Sequence, residues 1–166
     1  MDLYFLRNAN TLESGEDGTK HDDDTSLSKK GERKMLRIAQ GMKDLELEFD
    51  AIIASPLLRT TQSAEIVADV FRKKKHLRFS PHLAPRGNSA VLIREIARDH
   101  HEAKALLLVG HETSMSALIS MLLVGDDSLQ IIFKRGGLCK LTAERLEYGK
   151  CAQLCWLMAP SQLKRL

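Results

Sequence analysis

The sequence predicts an α/β protein, a three-layer α/β/α sandwich around a mostly parallel central sheet. Three observations carry that expectation. Short apolar runs of strand length recur at residues 3–6, 49–54 and 105–109. Segments with apolar residues at helical spacing lie between and after them, as in repeated β-α units. Beyond Gly125 the helical spacing gives way to strand-like runs, the last two joined around Glu147-Tyr148-Gly149 as a hairpin.

Taken in order, Leu3-Tyr4-Phe5-Leu6 reads as a buried strand that starts almost at the first residue. Residues 10–28 are polar, with Gly15, Gly18 and the triplet Asp22-Asp23-Asp24, and read as a long surface loop. Ser28 is the expected N-cap of a helix, with Leu27 as a hydrophobic staple. Met35, Leu36, Ala39, Met42 and Leu45 follow at helical spacing, and the Met35 and Met42 stripe reads as core. Residues 49–54 form a second buried strand, stopped by Ser55-Pro56. A helix from about residue 58 to 71 places Ala64, Val67, Ala68 and Phe71 on one face. Residues 77–80 suit a short strand, 82–89 a loop with proline and glycine, and 90–101 a helix. The run at 105–109 is a third strong strand, and Gly110-His111 turns the chain into a helix from about 114 to 123. Residues 130–134, 138–144 and 153–157 are read as strands. No repeat or linker interrupts the pattern, so residues 1–166 are expected to form a single domain.

Length and composition support this and exclude several functions. A chain of 166 residues hides roughly 70% of its unfolded surface, enough for a sizeable core. With 43% hydrophobic and 28% charged residues it is neither disordered nor fibrous. The net charge is only +3, which argues against nucleic-acid binding. No run approaches the ~18 apolar residues of a membrane helix, and Arg7 interrupts the N-terminus before a signal peptide could complete its apolar stretch. Cys139, Cys151 and Cys155 make an odd count without a Cys-x-x-Cys pair, so a reducing, cytoplasmic setting is expected. On a continuous strand Cys151 and Cys155 share a face as small apolar groups, and Trp156 faces the other way. Neither His100-His101-Glu102 nor His111-Glu112 has the spacing of a zinc site, and no phosphate-binding glycine loop is present, so neither metal nor cofactor is expected. The basic run Arg72-Lys73-Lys74-Lys75 closes a helix, where cations favour the dipole; its functional alternative is a docking patch for an acidic partner.

In open parallel sheets, ligands gather beyond the carboxyl ends of the strands. The first strand delivers Arg7-Asn8-Ala9-Asn10 there, the second Ser55-Pro56-Leu57-Leu58-Arg59, the third Gly110-His111-Glu112-Thr113. Singly, Arg7 and Arg59 read as surface charges and His111 as a satisfied loop histidine. Together, after three successive core strands, they read as one anion site, since guanidinium forks suit phosphate and helix N-termini expose backbone N–H groups nearby.

The chain resembles the histidine phosphatase superfamily, and within it the short SixA-type phosphohistidine phosphatases. The resemblance runs nearly end to end. It rests on the first strand into Arg7, on Ser55-Pro56-Leu57-Leu58-Arg59-Thr60-Thr61-Gln62-Ser63-Ala64-Glu65, and on Leu83-Ala84-Pro85. Leu108-Val109-Gly110-His111-Glu112 and the Lys134-Arg135-Gly136-Gly137 turn complete it. The resemblance implies that Arg7, Arg59 and His111 hold the equatorial oxygens of a phosphoryl group. It also implies a nucleophilic histidine directly after the first arginine, and there this sequence has Asn8.

The departure is chemical as well as formal. An imidazole offers a lone pair and forms a phosphoramidate that water can cleave, whereas an amide nitrogen is delocalised into its carbonyl. Asn8 is either an introduced substitution or the protein's own residue; a third explanation moves the nucleophile to His111 or His21. The expected outcome is an intact phosphate pocket with little turnover by the covalent route. Larger relatives carry an acid that protonates an alcohol leaving group. Between Phe79 and Ile93 this chain has no carboxylate, only Arg86, Asn88 and Ser89 as conspicuous polar groups, leaving Glu13, Asp17 or Glu112 as candidates. A phosphorylated imidazole needs less help to leave, so the resemblance implies phosphohistidine on a protein, such as a histidine-containing phosphotransfer domain. The rivals are a non-catalytic module binding phosphoprotein, a small phosphoryl compound or inorganic phosphate, and a phosphomutase-like enzyme on small phosphates.

Overall fold

The computed structural model describes residues 1–9 and 25–165. The predicted loop falls largely on residues 10–24, so Glu13, Asp17, His21 and Asp22-Asp23-Asp24 lie outside the described residues. The described chain forms a six-stranded sheet from β1 (Asp2–Arg7), β2 (Ala51–Ala54), β3 (Leu77–Phe79), β4 (Ala105–Gly110), β5 (Leu138–Ala143) and β6 (Ala152–Met158). Their order is β3-β2-β4-β1-β5-β6, with the first four parallel and β5 and β6 antiparallel.

Strict alternation builds the two cores. Leu3 and Phe5 of β1, Ala51 and Ile53 of β2, and Leu106 and Leu108 of β4 face one side. There they meet α3 (Ser89–Asp99) and α4 (Ser114–Val124). Tyr4, Leu6, Ile52, Ala54, Leu107 and Val109 face the other side. That side is covered by α1 (Lys29–Asp44), α2 (Leu58–Val70) and the short α5 (Pro160–Leu163). Strands buried on both faces read as continuous apolar runs, which is why the sequence marks them so clearly. The result is the predicted three-layer α/β/α sandwich.

Local signals set the helix starts. Ser28 caps α1 by accepting a hydrogen bond from the Gly31 N–H at 3.0 Å, and Leu27 beside it is buried. Asn88, read as part of a loop, caps α3 by accepting from the N–H groups of Ala90 and Val91 at 3.0 and 3.1 Å. At the entry edge of the sheet, the Asp50 carboxylate accepts from the N–H of Lys104 at 2.6 Å and of Ala105 at 2.9 Å, tying β2 to β4.

Two readings are corrected. Residues 130–134 are not a strand: the place beside β1 is taken by β5, with Leu138 opposite Leu6, and the 130–134 segment crosses as irregular chain. Phe133 plugs the core there despite the lack of sheet pairing. In β6 the register passes from Leu141 opposite Leu154 to Lys140 opposite Trp156, which leaves Cys155 as the extra residue of a bulge. Alternation is therefore broken, and Cys155 is exposed while Cys151 is half-buried. Trp156 packs against Tyr4, ring centroids 5.9 Å apart, in the structural role its position suggests.

Candidate active site

The path of the chain reverses between β1 and β4. From β1 it moves over β4 to β2; from β4 it moves over β1 to β5. A crevice opens at such a switch point, outside the carboxyl ends of the strands. Arg7 ends β1, Gly110 ends β4, and the Asn8 N–H donates to the Gly110 carbonyl at 3.1 Å, so Asn8 and His111 leave the sheet side by side. The Ser55 N–H donates to Val109 O at 3.1 Å, which brings the β2 end and the start of α2 to the same place. Gly110 leaves room here: a Cβ would sit 2.6 Å from Met115 Sδ and would force that side chain to shift.

His111 is only 2% exposed, and its Nε2 lies 2.8 Å from Ser55 Oγ and 2.9 Å from Thr60 Oγ1, both hydroxyls fully buried. A hydroxyl accepts as readily as it donates, so this pair satisfies the nitrogen in either protonation state. Arg59, one residue before Thr60, is 7% exposed at the first turn of α2. Ser63, one turn further on, donates to Arg59 O at 2.8 Å and accepts from the Ala9 N–H at 3.3 Å, linking α2 to the chain leaving β1. Asn8 is 5% exposed, and its Nδ2 donates to Ala9 O at 3.0 Å.

Arg7 is fixed from the other side. Its Nη1 donates to Phe133 O at 2.5 Å, and its own carbonyl accepts from the Gly136 N–H at 3.0 Å. Burial pulls its guanidinium down from the ordinary value, Glu112 opposes that and Arg135 adds to it. Lys34 is lowered too, by burial first and then by Lys164, Arg135, Arg7 and Lys30, and its Nζ donates to Arg135 O at 2.8 Å. Cations crowd this corner, and an anion would relieve their mutual repulsion. A cleft of about 550 Å³ adjoins Arg7 and is lined by Glu112, Ser116, Leu129, Ile132 and Phe133 among others. Glu112 is held there through Oε1 by the Ser116 hydroxyl, and its Oε2 is buried without a hydrogen-bond partner.

The structure thus carries Arg7, Asn8 and His111 on adjoining strand ends and Arg59 on the first turn of α2. Ser55, Thr60 and Ser63 stood in the quoted motif, but their contacts with His111 and Ala9 had no separate signal. Lys34 had none at all, being one lysine of a basic helix face. The other polar groups fall elsewhere. Arg86 is exposed, Asn88 and Ser89 begin α3, and His100 and His101 close it. The basic run at 72–75 lies at the far end of α2, where Lys74 pairs with Asp69 at 2.7 Å, away from the crevice. Among the described residues no group of three or more His, Cys, Asp or Glu is placed to hold a metal ion, and no helix is long and apolar enough to cross a membrane.

Comparison with known proteins agrees with this fold. Residues 3–87 match the model of the histidine phosphatase superfamily (branch 1). An uncharacterized protein of Picosynechococcus sp. is 31% identical, with 98% of this chain and 99% of that protein covered. Among solved structures, that of the protein histidine phosphatase SixA complexed with tungstate superposes with a TM-score of 0.84 at 21% identity, covering 99% of this chain and all of that one. A phosphohistidine phosphatase SixA from Agrobacterium tumefaciens, so described provisionally, gives 0.75 at 21% identity, covering 96% and 97%. By family match and by full-length likeness, the chain belongs to the histidine phosphatase superfamily.

Proposed function

We propose that Arg7, Asn8, Arg59 and His111 form a pocket that receives the phosphoryl group of a phosphohistidine on a partner protein, and that the chain as it stands binds this group without transferring it. The observation that carries the reading is the buried amide of Asn8, hydrogen-bonded to Ala9 O, where the family resemblance calls for a nucleophilic imidazole. The cation-rich corner around Arg7 supports anion capture, and His111 with its two hydroxyls supports a held oxygen. No cofactor or metal enters this chemistry. The three cysteines are free, in keeping with a cytoplasmic site of action.

The test is Asn8→His. An imidazole's Nδ1–H would take the place of the amide Nδ2–H on Ala9 O, leaving the Nε2 lone pair for the phosphorus. On a phosphorylated histidine-containing phosphotransfer domain, the Asn8 protein is expected to stay at background. The variant should gain turnover, up to the ~10⁶-fold that a lost nucleophile costs. A folded Asn8→His protein without phosphohistidine hydrolysis would refute the proposal.

Glu112 favours a second reading, hydrolysis of a small phosphomonoester, because its buried Oε2 beside Arg7 is a candidate acid for an alcohol leaving group. That reading requires Asn8→His to cleave p-nitrophenyl phosphate or phosphoserine in preference to phosphohistidine, and to lose that activity on adding Glu112→Gln.

A further inference from the structure

The segment that crosses at 129–134 has two sides. Inward, Phe133 is buried and its carbonyl holds the Arg7 guanidinium. Outward, the adjacent Ile132 is 86% exposed, and Leu129 and Leu157 are exposed near it. Ile132 and Leu129 share the lining of the cleft beside Arg7, and Ile132 and Leu157 flank a smaller hollow of about 150 Å³. Single exposed apolar residues are ordinary, but a contiguous set rimmed by charge marks an interaction surface. This set runs from the mouth of the anion pocket to β6, with exposed Lys134 and Arg135 following the buried Phe133.

We propose that Leu129, Ile132 and Leu157 form the docking surface for the phosphorylated protein, which presents an apolar face beside its phosphohistidine. The inference rests on the pocket reading above and adds the occupant's shape. Continuity decides the occupant: the carbonyl that positions Arg7 belongs to Phe133, the residue next to the most exposed isoleucine, so a body whose phosphoryl group reaches Arg7 covers Ile132 at the same time. A free phosphate or sugar phosphate would leave this surface wet. A protein with an acidic or apolar rim is drawn by Lys134 and Arg135 and dehydrates the three side chains.

The experiment is isothermal titration of the protein with two probes, inorganic phosphate and a histidine-containing phosphotransfer domain phosphorylated by phosphoramidate. Ile132→Asp and Leu157→Asp, both on the surface, are each expected to weaken the phosphorylated domain about tenfold or more, as truncated interface anchors do. In Leu157→Asp, which lies off the cleft beside Arg7, phosphate affinity should stay within twofold. Wild-type affinity of both variants for the domain, or an equal loss for phosphate and domain in both variants, overturns the docking surface and leaves the pocket standing. So does phosphate binding by the unaltered protein without any binding of the domain. If the unaltered protein binds neither probe, the pocket reading fails and takes this one with it. Sedimentation provides the last arm: a dimer that Ile132→Asp dissociates, with domain affinity unchanged, would assign the surface to a second copy and overturn the proposal.

Discussion

His111 is held by two hydroxyls on one nitrogen, and that arrangement predicts non-additive losses. In Thr60→Val the shape of the side chain is kept and one hydroxyl is removed, leaving Nε2 its 2.8 Å contact with Ser55. The cost is the net worth of one hydrogen bond, about 1 kcal/mol. Ser55→Ala costs a similar amount, slightly more because Ser55 Oγ also accepts from the Leu57 N–H at 3.4 Å. With both changed, the imidazole, 2% exposed, loses both hydroxyls on that nitrogen at once. Removing the second hydroxyl from a buried nitrogen that has already lost the first is expected to add about 1–3 kcal/mol beyond the sum of the single losses. Urea denaturation of the three variants at pH 8, at equal m-values, measures that coupling. The phosphate-induced rise in Tm should persist in each single variant and fall in the double, because His111 is then no longer aimed. Additivity within about 0.3–0.5 kcal/mol would refute the shared-nitrogen geometry.

Three further outcomes follow from the same contacts. Phosphate at 100 times its Kd should stabilise the protein by roughly 2.7 kcal/mol, and Arg59→Ala should remove most of that in a thermal-shift titration; a surviving shift would place the anion elsewhere. The Ala105 N–H, above all, holds the Asp50 carboxyl below the usual carboxylate range. Its contribution is therefore complete above the ordinary carboxylate pKa and is lost as pH falls through the lowered folded value; Asp50→Asn should flatten this part of the acid limb, by about 1 kcal/mol or less once solvent screening of this exposed group is counted. Gly136 has φ 78°, and a Cβ on it would lie 2.5 Å from Ile38 Cδ1. Gly136→Ala should thus cost about 2–4 kcal/mol in urea, from left-handed strain plus overpacking, and should weaken phosphate binding because the Gly136 N–H holds the Arg7 carbonyl.

The parts of this fold that follow simple periodicity were readable from residues alone. β1, β2 and β4 are buried on both faces and appear as unbroken apolar runs, and Ser28 marks the start of α1 because its hydroxyl has a helix N–H to satisfy. Residues 130–134 show where that logic stops. Gln-Ile-Ile-Phe-Lys has strand propensity, yet β5 occupies the only free side of β1, and the segment spends Phe133 on the core and a carbonyl on Arg7 instead. The candidate site divides the same way. Arg7, Arg59 and His111 stand at strand ends, where polar residues after an apolar run are conspicuous. The Ser55 and Thr60 contacts depend on the rotation of α2 against β4, and Lys34 reaches Arg135 across 101 positions in the chain; neither relation leaves a trace in local sequence.

On the proposed reading, position 8 separates binding from turnover, because backbone hydrogen bonds fix the chain on either side of it. The Arg7 N–H donates to Gly137 O and the Asn8 N–H to Gly110 O, both at 3.1 Å, and the Ala9 N–H reaches Ser63 Oγ. These bonds set the direction in which any side chain at position 8 leaves β1. The Asn8 Nδ2–H satisfies Ala9 O, and Asn8→His is expected to leave Arg7 and His111 in place with an imidazole Nδ1–H on that carbonyl. What the amide lacks is a basic nitrogen on its far side. On that reading the scaffold keeps Arg7, Arg59 and His111 and lacks only the electron pair that would attack a phosphoryl group. That is the balance of properties the proposed phosphohistidine receptor requires, and its reversal by one side chain opens the proposal to direct test.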